Sequence, residues 1–522
     1  MIDLSLADSL KKSSTIVAHL LSGSSMQSSL NSYKEYKSQF SIEGASQQLY
    51  RFGYIANVGV APTLTGELST VLSNWVSKKV GTLHFFLHPE TSFWEASTPH
   101  STVVIVGHVF DAINGNLDSQ NIVEELAQYK LASQEFLQYL DNLAGRYLVF
   151  VNNGSGWTVY PDAFSSKMRY FSPEALGTVA SHATLIANAC GLPLDFDIQG
   201  YMLSDSYRKR DVKNLPGLST EYESLFVAPA NHSLELTGMN LKRFWPRENI
   251  CHNDTALAEQ TFITYLDNYS NYIVKNFDTD VFGLTAGMDS RTMLAPLLAK
   301  SMDIEAFTLL RGGESNRKDM EGAKALAAKF GFSHTPINVA TASSRLEGYF
   351  HPNRKALRMN GGPHRLNAIY SNDAFFKQYK DVLSDNCSFT RGFGGEIIRG
   401  FYQKSGQPLQ KATASKFAGL TGILGDSELV KLYFQHFIDN LNYDKCFDAD
   451  LFDIFYMEHR MSKWAANSLS ETDATAHSIV GMSCRKLYEV NMGLPFEYRK
   501  SREVFKKSIA HFCPELLDIE IS

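Results

Sequence analysis

The stretch that decides the fold reads DVFGLTAGMDSR over residues 280–291. Its largely apolar start predicts a buried strand, and the small residues that follow predict a turn into a helix. A helical pattern at residues 256–275 precedes this stretch, a helix continues through residue 300, and residues 304–310 predict a second strand. This order describes a βαβ unit, which requires a parallel sheet.

The turn between the strand and the helix has the chemistry of a phosphate-binding loop. A helix N-terminus presents unpaired backbone N–H groups and the positive end of the helix dipole, and both attract phosphate oxygens. The small residues at positions 285–287 let an anion approach the backbone, and Asp289 suits a divalent cation held against phosphates. Ser290 and Arg291 would contact phosphate oxygens directly. The alternative is an ordinary helix cap, in which Asp289 and Ser290 stabilise the first turn.

The composition is that of an ordinary globular protein and bears on several classes of function. The 522 residues are 44% hydrophobic and 20% charged, so two domains with sizeable cores are expected. A net charge of −6 gives no basic field for a nucleic-acid backbone, and no nucleic-acid partner is expected. The six cysteines lack CxxC or zinc-ligand spacing, which indicates reduced structural thiols. Without a signal peptide or long apolar run, a cytoplasmic protein that does not enter membranes is expected.

The first half of the chain has a different pattern from the second. In the first half, apolar β-rich runs alternate with turns, one of them at residues 152–156, and with helical patterns at residues 120–129 and 134–143. The runs lie at residues 82–87, 102–107, 146–151, 157–160 and 233–236. Beyond residue 402 the patterns are nearly all helical. We therefore expect an α+β layered domain at residues 1–245 and an α/β domain at residues 255–522.

Several motifs resemble those of the asparagine synthetase family, a superfamily that includes β-lactam synthetases and lasso-peptide cyclases. LTAGMDSR resembles the family's SGGxDS pyrophosphate loop. Residues 307–309, followed by Asp319 and Ala323, are similar to its second strand and the start of its next helix. RGFGGE at residues 391–396 resembles its GxGxDE segment. In the first half, two motifs resemble the family's glutaminase domain: Gly145-Arg146-Tyr147-Leu148 and Tyr160-Pro161-Asp162.

This resemblance implies a fold and a reaction. The fold class is α/β, with an Ntn-hydrolase-like α+β sandwich followed by an adenine nucleotide α-hydrolase-like parallel-sheet domain with a helical extension. In the family, a substrate carboxylate attacks the α-phosphate of ATP, and an amine then displaces AMP from the acyl-adenylate. By position, the ATP-binding residues would be Leu284, Thr285, Ala286, Gly287, Asp289, Ser290, Arg291, Thr308 and Gly392. Of these, Leu284, Thr308 and Gly392 would line the adenine and ribose, while Asp289 and Glu396 would hold Mg²⁺.

The sequence departs from the family's pattern at positions that carry its chemistry. Residue 2 is Ile where the glutaminase has its nucleophilic cysteine, so we expect the first domain to release no ammonia from glutamine. Phe393 replaces the acidic residue or tyrosine of amide-forming members, and a phenyl ring cannot take a proton from an amine. The general base must then lie elsewhere, or the amine must arrive neutral. Ile397 replaces the family's next glutamate, and Arg399 adds a cation nearby.

Other candidate catalytic residues lie near the C-terminus. The family's C-terminal lysine, which stabilises charge on the intermediates, is matched best by Arg502, with Lys500 as the alternative. Glu458, His459 and Arg460 share a helical stretch that could read a substrate carboxylate or supply the missing base. An ion-paired structural face is the favoured interpretation of that stretch.

A loop supplies a further pair of candidates. His364 and Arg365 lie where relatives build the acceptor pocket, and an ordinary loop is the alternative. Arg311 follows the second strand and could touch ribose or phosphate, with a loop turn equally consistent.

The predicted function is an ATP- and Mg²⁺-dependent ligase that adenylates a carboxylate and forms an amide by amine capture, releasing AMP and pyrophosphate. It would act in a biosynthetic or peptide-modifying pathway. Its partners would be a small-molecule or peptide carboxylate and an amine acceptor, and a homodimer is left open. The alternatives are adenylation with a non-amine acceptor and a nucleotide-binding scaffold without turnover, which Phe393 and Ile397 motivate. The retained Asp289, Ser290 and Glu396 argue against the scaffold.

Overall fold

The computed structural model shows three β-sheets surrounded by helices. It describes residues 48–208, 213–250, 253–339, 352–362, 370–379, 382–383, 386–404, 406–421 and 427–519. Two antiparallel sheets come first along the chain, and a parallel sheet follows. The protein is therefore a mixed α/β structure, as the sequence predicts.

The first half contains two six-stranded sheets with antiparallel neighbours. The strands are β1 (Tyr54–Val58), β2 (Val76–Val80), β3 (Leu83–Leu87), β4 (Phe93–Ser97), β5 (Thr102–Asp111), β6 (Leu143–Asn152), β7 (Trp157–Pro161), β8 (Tyr170–Phe171), β9 (Thr178–Ala180), β10 (Phe226–Val227), β11 (His232–Glu235) and β12 (Asn240–Arg243). One sheet has the order β10-β8-β9-β1-β3-β2, and the other has the order β12-β11-β7-β6-β5-β4. The turn predicted at residues 152–156 joins β6 to β7 as a hairpin.

An apolar layer holds these two sheets together. In β3, Leu83, Phe85 and Leu87 are buried and the residues between them are partly exposed, because successive side chains of a strand point to opposite faces. The rings of Tyr54 and Phe150 meet across the layer with centroids 6.2 Å apart. The helices that the structure describes in this half are α1 (Gly66–Val71), α2 (Ser119–Gln128), α3 (Gln134–Asn142), α4 (Ala183–Cys190), α5 (Phe196–Leu203) and α6 (Asp205–Arg208). Because α4 packs on the first sheet and α2 on the second, the four layers are helix, sheet, sheet and helix.

The second half is built on a five-stranded parallel sheet. Its strands are β13 (Thr279–Gly283), β14 (Asp303–Leu310), β15 (Ser333–Asn338), β16 (Cys387–Arg391) and β17 (His477–Val480). The helices up to β16 are α7 (Thr255–Asn276), α8 (Met288–Ala299), α9 (Glu314–Phe330), α10 (Pro352–Gly361) and α11 (Tyr370–Tyr379). The strand order is β15-β14-β13-β16-β17, so the chain runs outward from β13 and then returns to its other side at β16. Such a reversal leaves a crevice at the carboxyl ends of the neighbouring strands.

The C-terminal part is helical around β17, a strand that the sequence pattern did not predict. Its helices are α12 (Gly395–Ile398), α13 (Ala414–Leu420), α14 (Glu428–Leu441), α15 (Leu451–Phe455), α16 (Ala466–Thr472), α17 (Arg485–Met492), α18 (Phe496–Ser501) and α19 (Glu503–Phe512). A π-helical segment, Tyr456–Ala465, joins α15 to α16. Among the described helices, none combines the length and the apolarity needed to cross a bilayer.

Buried polar contacts join the two halves in addition to a shared apolar core. Arg485 donates hydrogen bonds to the carbonyl oxygens of Pro161 and Asp162 at 2.9 and 2.7 Å. Lys463 donates to three backbone carbonyls at 2.8–3.0 Å, those of Leu215, Gly217 and Ser219. Burying a charge is costly unless its hydrogen bonds are satisfied, so these contacts fix how the halves meet.

Candidate active site

The carboxyl ends of β13 and β16 bring two glycine-containing turns together. Residues 284–287 follow β13 and lead into α8, and residues 392–394 follow β16 and lead into α12. The two strands are parallel, hydrogen-bonded neighbours, so both turns lie at the same edge of the sheet. The chain also reverses direction across this pair of strands, which is the usual position of a ligand crevice in an open parallel sheet.

The turn after β13 leaves the N-terminus of α8 open to an anion. Gly287 precedes this helix of 12 residues, and no side chain caps it. The first N–H groups of the helix and the positive end of its dipole are therefore directed at the crevice. Leu284 ties the turn to β14 through a 2.9 Å hydrogen bond from its N–H to the Phe307 carbonyl, and its side chain is fully buried.

Side chains within the turn fix its shape. The Ser290 hydroxyl accepts a hydrogen bond from the Thr285 N–H at 3.3 Å and lies 3.1 Å from the carbonyl oxygens of Thr285 and Gly287. The Ala286 N–H donates to Asp319 Oδ1 at 3.2 Å, which connects the turn to α9. Ser290 thus acts inside the turn, whereas the sequence predicts a direct contact with phosphate oxygens.

Gly392 and Gly395 allow the second turn to press against Asp289. A Cβ atom at Gly392 would lie 3.0 Å from the backbone carbonyl carbon of Asp289. A Cβ atom at Gly395 would lie 3.0 Å from Asp289 Cγ. A Cβ atom at either position would force Asp289 to shift by a few tenths of an ångström, so glycine at both positions suits the close approach of the two turns.

Asp289 and Glu396 form a carboxylate pair between the two glycine-containing turns, and this region is called the recess below. Burial raises the pKa of Glu396 and the Asp289 carboxylate raises it further, whereas Arg399 and Arg460 lower it. Glu396 nevertheless keeps partial exposure to water, as expected for a group in the floor of a recess. Its Oε2 atom is buried and makes no hydrogen bond to any residue that the structure describes. Arg399 Nε donates to Asp289 Oδ2 at 3.2 Å.

Arginines surround the pair. Burial lowers the pKa of Arg391 to about 10 and the Arg311 charge acts in the same direction, whereas Glu396 opposes them. The Arg460 guanidinium lies 4.6 Å from the centre of the Trp464 ring. The recess therefore combines two carboxylates with several nearby arginines, an arrangement that suits a polyphosphate bound together with a metal ion. Within the described residues, no group of three or more His, Cys, Asp or Glu side chains could hold a metal.

Phe393 and Ile397, which depart from the family's pattern, are packing residues. The Phe393 ring is 5% exposed and packs edge-on against Trp464, with ring centroids 5.6 Å apart. The Arg391 guanidinium lies 4.8 Å from the centre of the Phe393 ring. Ile397 is fully buried. These two positions supply apolar contacts and no group that could accept a proton.

Thr308 lies beneath the site and ties strands together. Its hydroxyl donates to the Leu284 carbonyl at 2.8 Å and lies 2.9 Å from His334 Nε2. The side chains of Thr308 and Leu284 are both buried, so any contact with a nucleoside would involve their backbone atoms.

Arg291 is directed away from the phosphate loop, which corrects the sequence prediction. Its guanidinium donates to the carbonyl oxygens of Leu516 and Ile519 at 3.0 and 2.6 Å, and its side chain is fully buried. Arg291 is on α8, and a helix turns by about 100° per residue, so its side chain leaves a different face from that of Asp289. Arg291 therefore anchors the C-terminal segment.

The predicted catalytic cations are not part of the carboxylate recess. Among the described residues, no hydrogen bond or ion pair joins Arg502 or Lys500 to the two glycine-containing turns. The Lys500 side chain is 60% exposed and lies 3.8 Å from Glu497. Arg502 has a φ of 61° and links α18 to α19. The acceptor-pocket candidates His364 and Arg365 lie outside the described residues.

Arg499 is a residue of this site that sequence reasoning missed. Its guanidinium donates to the carbonyl oxygens of Ile397 and Ile398, at the end of α12, and to Asp453 Oδ2 at 2.7 Å. The Arg499 and Asp453 side chains are only 3% and 2% exposed. Arg499 stands among other cations in YRKSR at residues 498–502, and only its burial distinguishes it from them. It holds the four-residue helix that carries Glu396.

Glu458 is held in a buried ion pair, which agrees with the structural interpretation favoured from sequence over the catalytic one. Both of its carboxylate oxygens accept hydrogen bonds from Arg243, at 2.6 and 3.1 Å, and Asn231 donates to it at 3.1 Å. The Arg243 and Glu458 side chains are 5% and 0% exposed, and Asn231 is fully buried. Burial keeps the pKa of His459 well below its ordinary value, and its ring stacks on Phe455 with centroids 5.1 Å apart. Glu458 is therefore ion-paired and His459 is a packed ring, and the structural interpretation fits both side chains.

The motifs that resemble a glutaminase lie at the contact between the halves. Residue 2 lies outside the described residues. The Phe52 ring, just before β1, stacks on His477 with centroids 4.1 Å apart, and the Phe52 carbonyl accepts a hydrogen bond from Lys167 at 2.8 Å. Arg146, on β6, forms a buried ion pair with Asp473. These residues of the first half therefore contact the C-terminal part.

Comparison with known proteins gives weak likenesses. No protein-family model and no curated protein sequence matches the chain. NMN synthetase from Francisella tularensis is 16% identical over 40% of this chain and 94% of its own length, with a TM-score of 0.20. Glutamine phosphoribosylpyrophosphate amidotransferase from B. subtilis is 13% identical over 56% of this chain and 61% of its own length, with a TM-score of 0.21. Alignments this weak identify neither a family nor a function.

Proposed function

We propose that the protein is an ATP- and Mg²⁺-dependent ligase that adenylates a substrate carboxylate and transfers the acyl group to an amine. The observation that supports this most is the pairing of Asp289 with Glu396 at the reversal point of the parallel sheet. Asp289 stands in the first turn of a helix whose N-terminus no side chain caps, and arginines lie nearby. The motif resemblance to the asparagine synthetase family agrees with this arrangement.

The nucleotide would bind with its phosphates at the start of α8. The N–H groups after Gly287 would receive phosphate oxygens, while Arg391 and Arg399 would balance the remaining charge. Thr285 and Ser290 would keep the turn in shape through the hydrogen bonds that they make within it. The loop is thus preorganised for an anion, so little ordering is needed on binding.

The carboxylate pair would hold the magnesium ion. The buried, unused Oε2 of Glu396 beside Asp289 fits a divalent cation, because two adjacent carboxylates otherwise repel each other. Once bound, the metal would neutralise negative charge on the pyrophosphate as it leaves. Gly392 and Gly395 keep the two ligands adjacent, and Arg499 keeps α12 in place.

The reaction has two steps. A carboxylate oxygen of the substrate attacks the α-phosphorus of ATP, and the bond to pyrophosphate breaks. An amine then attacks the acyl carbon, and the bond to AMP breaks as the amide forms. Because Phe393 cannot take a proton, the amine would arrive neutral, and the proton that it loses as the amide forms would pass to the departing AMP phosphate or to water.

The first half would serve as a structural partner of the ligase half. Its glutaminase-like motifs are engaged in buried contacts, including the Arg146–Asp473 pair and the bonds from Arg485 to Pro161 and Asp162. Ammonia from glutamine would then have no part in the reaction, and the amine would be supplied by a second substrate.

Exchange of labelled pyrophosphate into ATP tests the adenylation step. The wild-type protein is assayed with Mg²⁺ and pools of amino acids and other small carboxylic acids, beside Asp289→Asn and Glu396→Gln. Surface substitutions of the same kind, Asp439→Asn and Glu428→Gln, are the matched controls. We expect exchange that is lost in the two site variants, by at least a hundredfold, and kept in both controls.

Direct binding of ATP separates this proposal from a scaffold without turnover. Tight Mg²⁺-dependent ATP binding with no exchange for any carboxylate pool would favour the scaffold. Absence of ATP binding to the wild-type protein, or exchange that persists in Asp289→Asn, would refute the proposal. Exchange without amide formation from any amine would point to a non-amine acceptor.

A further inference from the structure

The Arg399 side chain makes two contacts, one with Asp289 and one with Phe401. Its Nε donates to Asp289 Oδ2 at 3.2 Å, and its guanidinium carbon lies 5.0 Å from the centre of the Phe401 ring. The Arg399 and Asp289 side chains are 21% and 22% exposed, and Phe401 is 37% exposed. A partly exposed ion pair is weak and can exchange partners, and the Phe401 ring offers Arg399 a contact that does not depend on Asp289.

Arg399 and Arg460 already balance the carboxylate pair. Both arginines act on Glu396 in the direction opposite to Asp289, so each lies within electrostatic reach of the same carboxylate. Two carboxylates and these two guanidinium groups sum to a net charge of about zero, and Arg391, which also interacts with Glu396, adds a further positive charge. A bare divalent cation that entered between Asp289 and Glu396 would therefore gain two negative ligands but face an excess of positive groups nearby.

A metal ion that is bound to a nucleotide enters the site with a different net charge. The phosphates bring more negative charge than the metal neutralises, so they give a displaced guanidinium an acceptor within the recess. Arginine binds phosphate oxygens through a fork of N–H donors, and Arg399 can keep its stacking on Phe401 while it changes partner.

We propose that Arg399 is a resident counter-cation that holds Asp289 in place of a metal, so that the site binds the metal–nucleotide complex well and the free metal poorly. The proposal rests on the proposed function in taking the recess as the nucleotide site. Arg399 is then a positioning and specificity residue, because its guanidinium exchanges Asp289 for a phosphate when the metal–nucleotide complex enters. Its role follows from the contact with Asp289 and not from any family pattern.

Binding of Mn²⁺ alone, measured by electron paramagnetic resonance or calorimetry, tests this directly. The proteins compared are the wild type, Arg399→Gln and Arg399→Lys, with Arg317→Gln as the control because Arg317 is exposed on α9 and pairs with residues of its own helix. We expect Arg399→Gln to bind free Mn²⁺ at least tenfold more tightly than the wild type. The lysine variant should stay near the wild type, and the control should not change.

The result that overturns the proposal is Mn²⁺ binding in Arg399→Gln that is equal to or weaker than that of the wild type. If the glutamine variant is poorly folded by circular dichroism, Arg399→Met gives the same comparison. A second measurement adds ATP: the factor by which ATP tightens Mn²⁺ binding should fall at least tenfold in Arg399→Gln. Failure of ATP to bind the wild type would count against the proposed function, whereas the Mn²⁺ comparison would still decide the role of Arg399.

Discussion

Replacing Arg499 by methionine should show separately what Arg499 contributes to folding stability and to the position of Glu396. The change removes the guanidinium that joins Asp453 to the end of α12 and leaves the Asp453 carboxyl buried, 2% exposed, without its partner. Removing one member of a buried pair typically costs about 3–5 kcal/mol. The pKa of Asp453 is already raised to about 7 by burial, with Arg499 opposing that rise. Without Arg499 the carboxyl would take up a proton, which limits the cost to about 3 kcal/mol.

The assay compares urea unfolding with binding of the Mn²⁺–ATP complex. With a slope of about 3 kcal/mol per molar urea, the midpoint of Arg499→Met should fall by about 1 M. The double variant Arg499→Met/Asp453→Leu places apolar groups on both sides and should recover most of this loss. Mn²⁺–ATP binding should stay at least tenfold weaker in both proteins, because neither holds the carbonyls of Ile397 and Ile398.

Two results would refute this reasoning. An unfolding midpoint unchanged in Arg499→Met would show that the buried pair contributes little to stability. Full recovery of Mn²⁺–ATP binding in the double variant would show that α12 keeps Glu396 in place without the guanidinium.

Three further changes test other assignments. Gly395→Ala should weaken Mn²⁺–ATP binding at least tenfold, because its Cβ atom would lie 3.0 Å from Asp289 Cγ. The control Gly419→Ala, whose Cβ atom would have nothing within 4 Å, should have no effect, and equal binding in the two variants would contradict the close approach. Arg291→Gln should lower the urea midpoint and leave ATP affinity within about twofold, since Arg291 bonds the C-terminal segment; a large loss of affinity would restore its phosphate role. Burial, aided by nearby cationic groups, keeps the pKa of His108 well below 6.5, so the folded state holds this side chain neutral. The unfolded chain binds a proton there as pH falls below about 6.5, and the free energy of unfolding therefore falls by up to about 1.4 kcal/mol per pH unit. His108→Gln should therefore show a flatter dependence of unfolding free energy on pH between 6.5 and 5, and slopes equal to the wild type would contradict this.

Local pattern was enough to predict several of the longer elements. The runs predicted at residues 102–107 and 146–151 lie within β5 and β6, and the predicted helix at residues 256–275 lies within α7. These elements have long, regular patterns that identify them without tertiary context. Strand β17 has only four residues and was missed, because so short a run carries no periodic signal. The π-helical segment was not anticipated either, since its apolar spacing resembles that of an ordinary helix.

Local pattern could not assign the direction of long polar side chains. Arg291 follows Ser290 in a phosphate-loop motif, yet it bonds the C-terminal segment more than 220 residues away. Glu458 was a catalytic candidate because it shares a helical stretch with His459 and Arg460, and its partner Arg243 comes from β12 in the other half of the chain. Partners at such separations are set by packing, to which sequence spacing gives no access.

The sequence by itself determined that a strand, a small-residue turn and a helix succeed one another at residues 280–291, because these depend on neighbouring residues. It also identified Asp289 and Glu396 as carboxylates of interest. Only the tertiary structure decided that the two carboxylates lie side by side. It also decided that Arg399 pairs with Asp289 and that Arg499 bonds α12, the helix that carries Glu396. The physical reason is the strand order: the chain returns past β14 and β15 to pair β16 with β13, and this pairing joins turns that lie about a hundred residues apart.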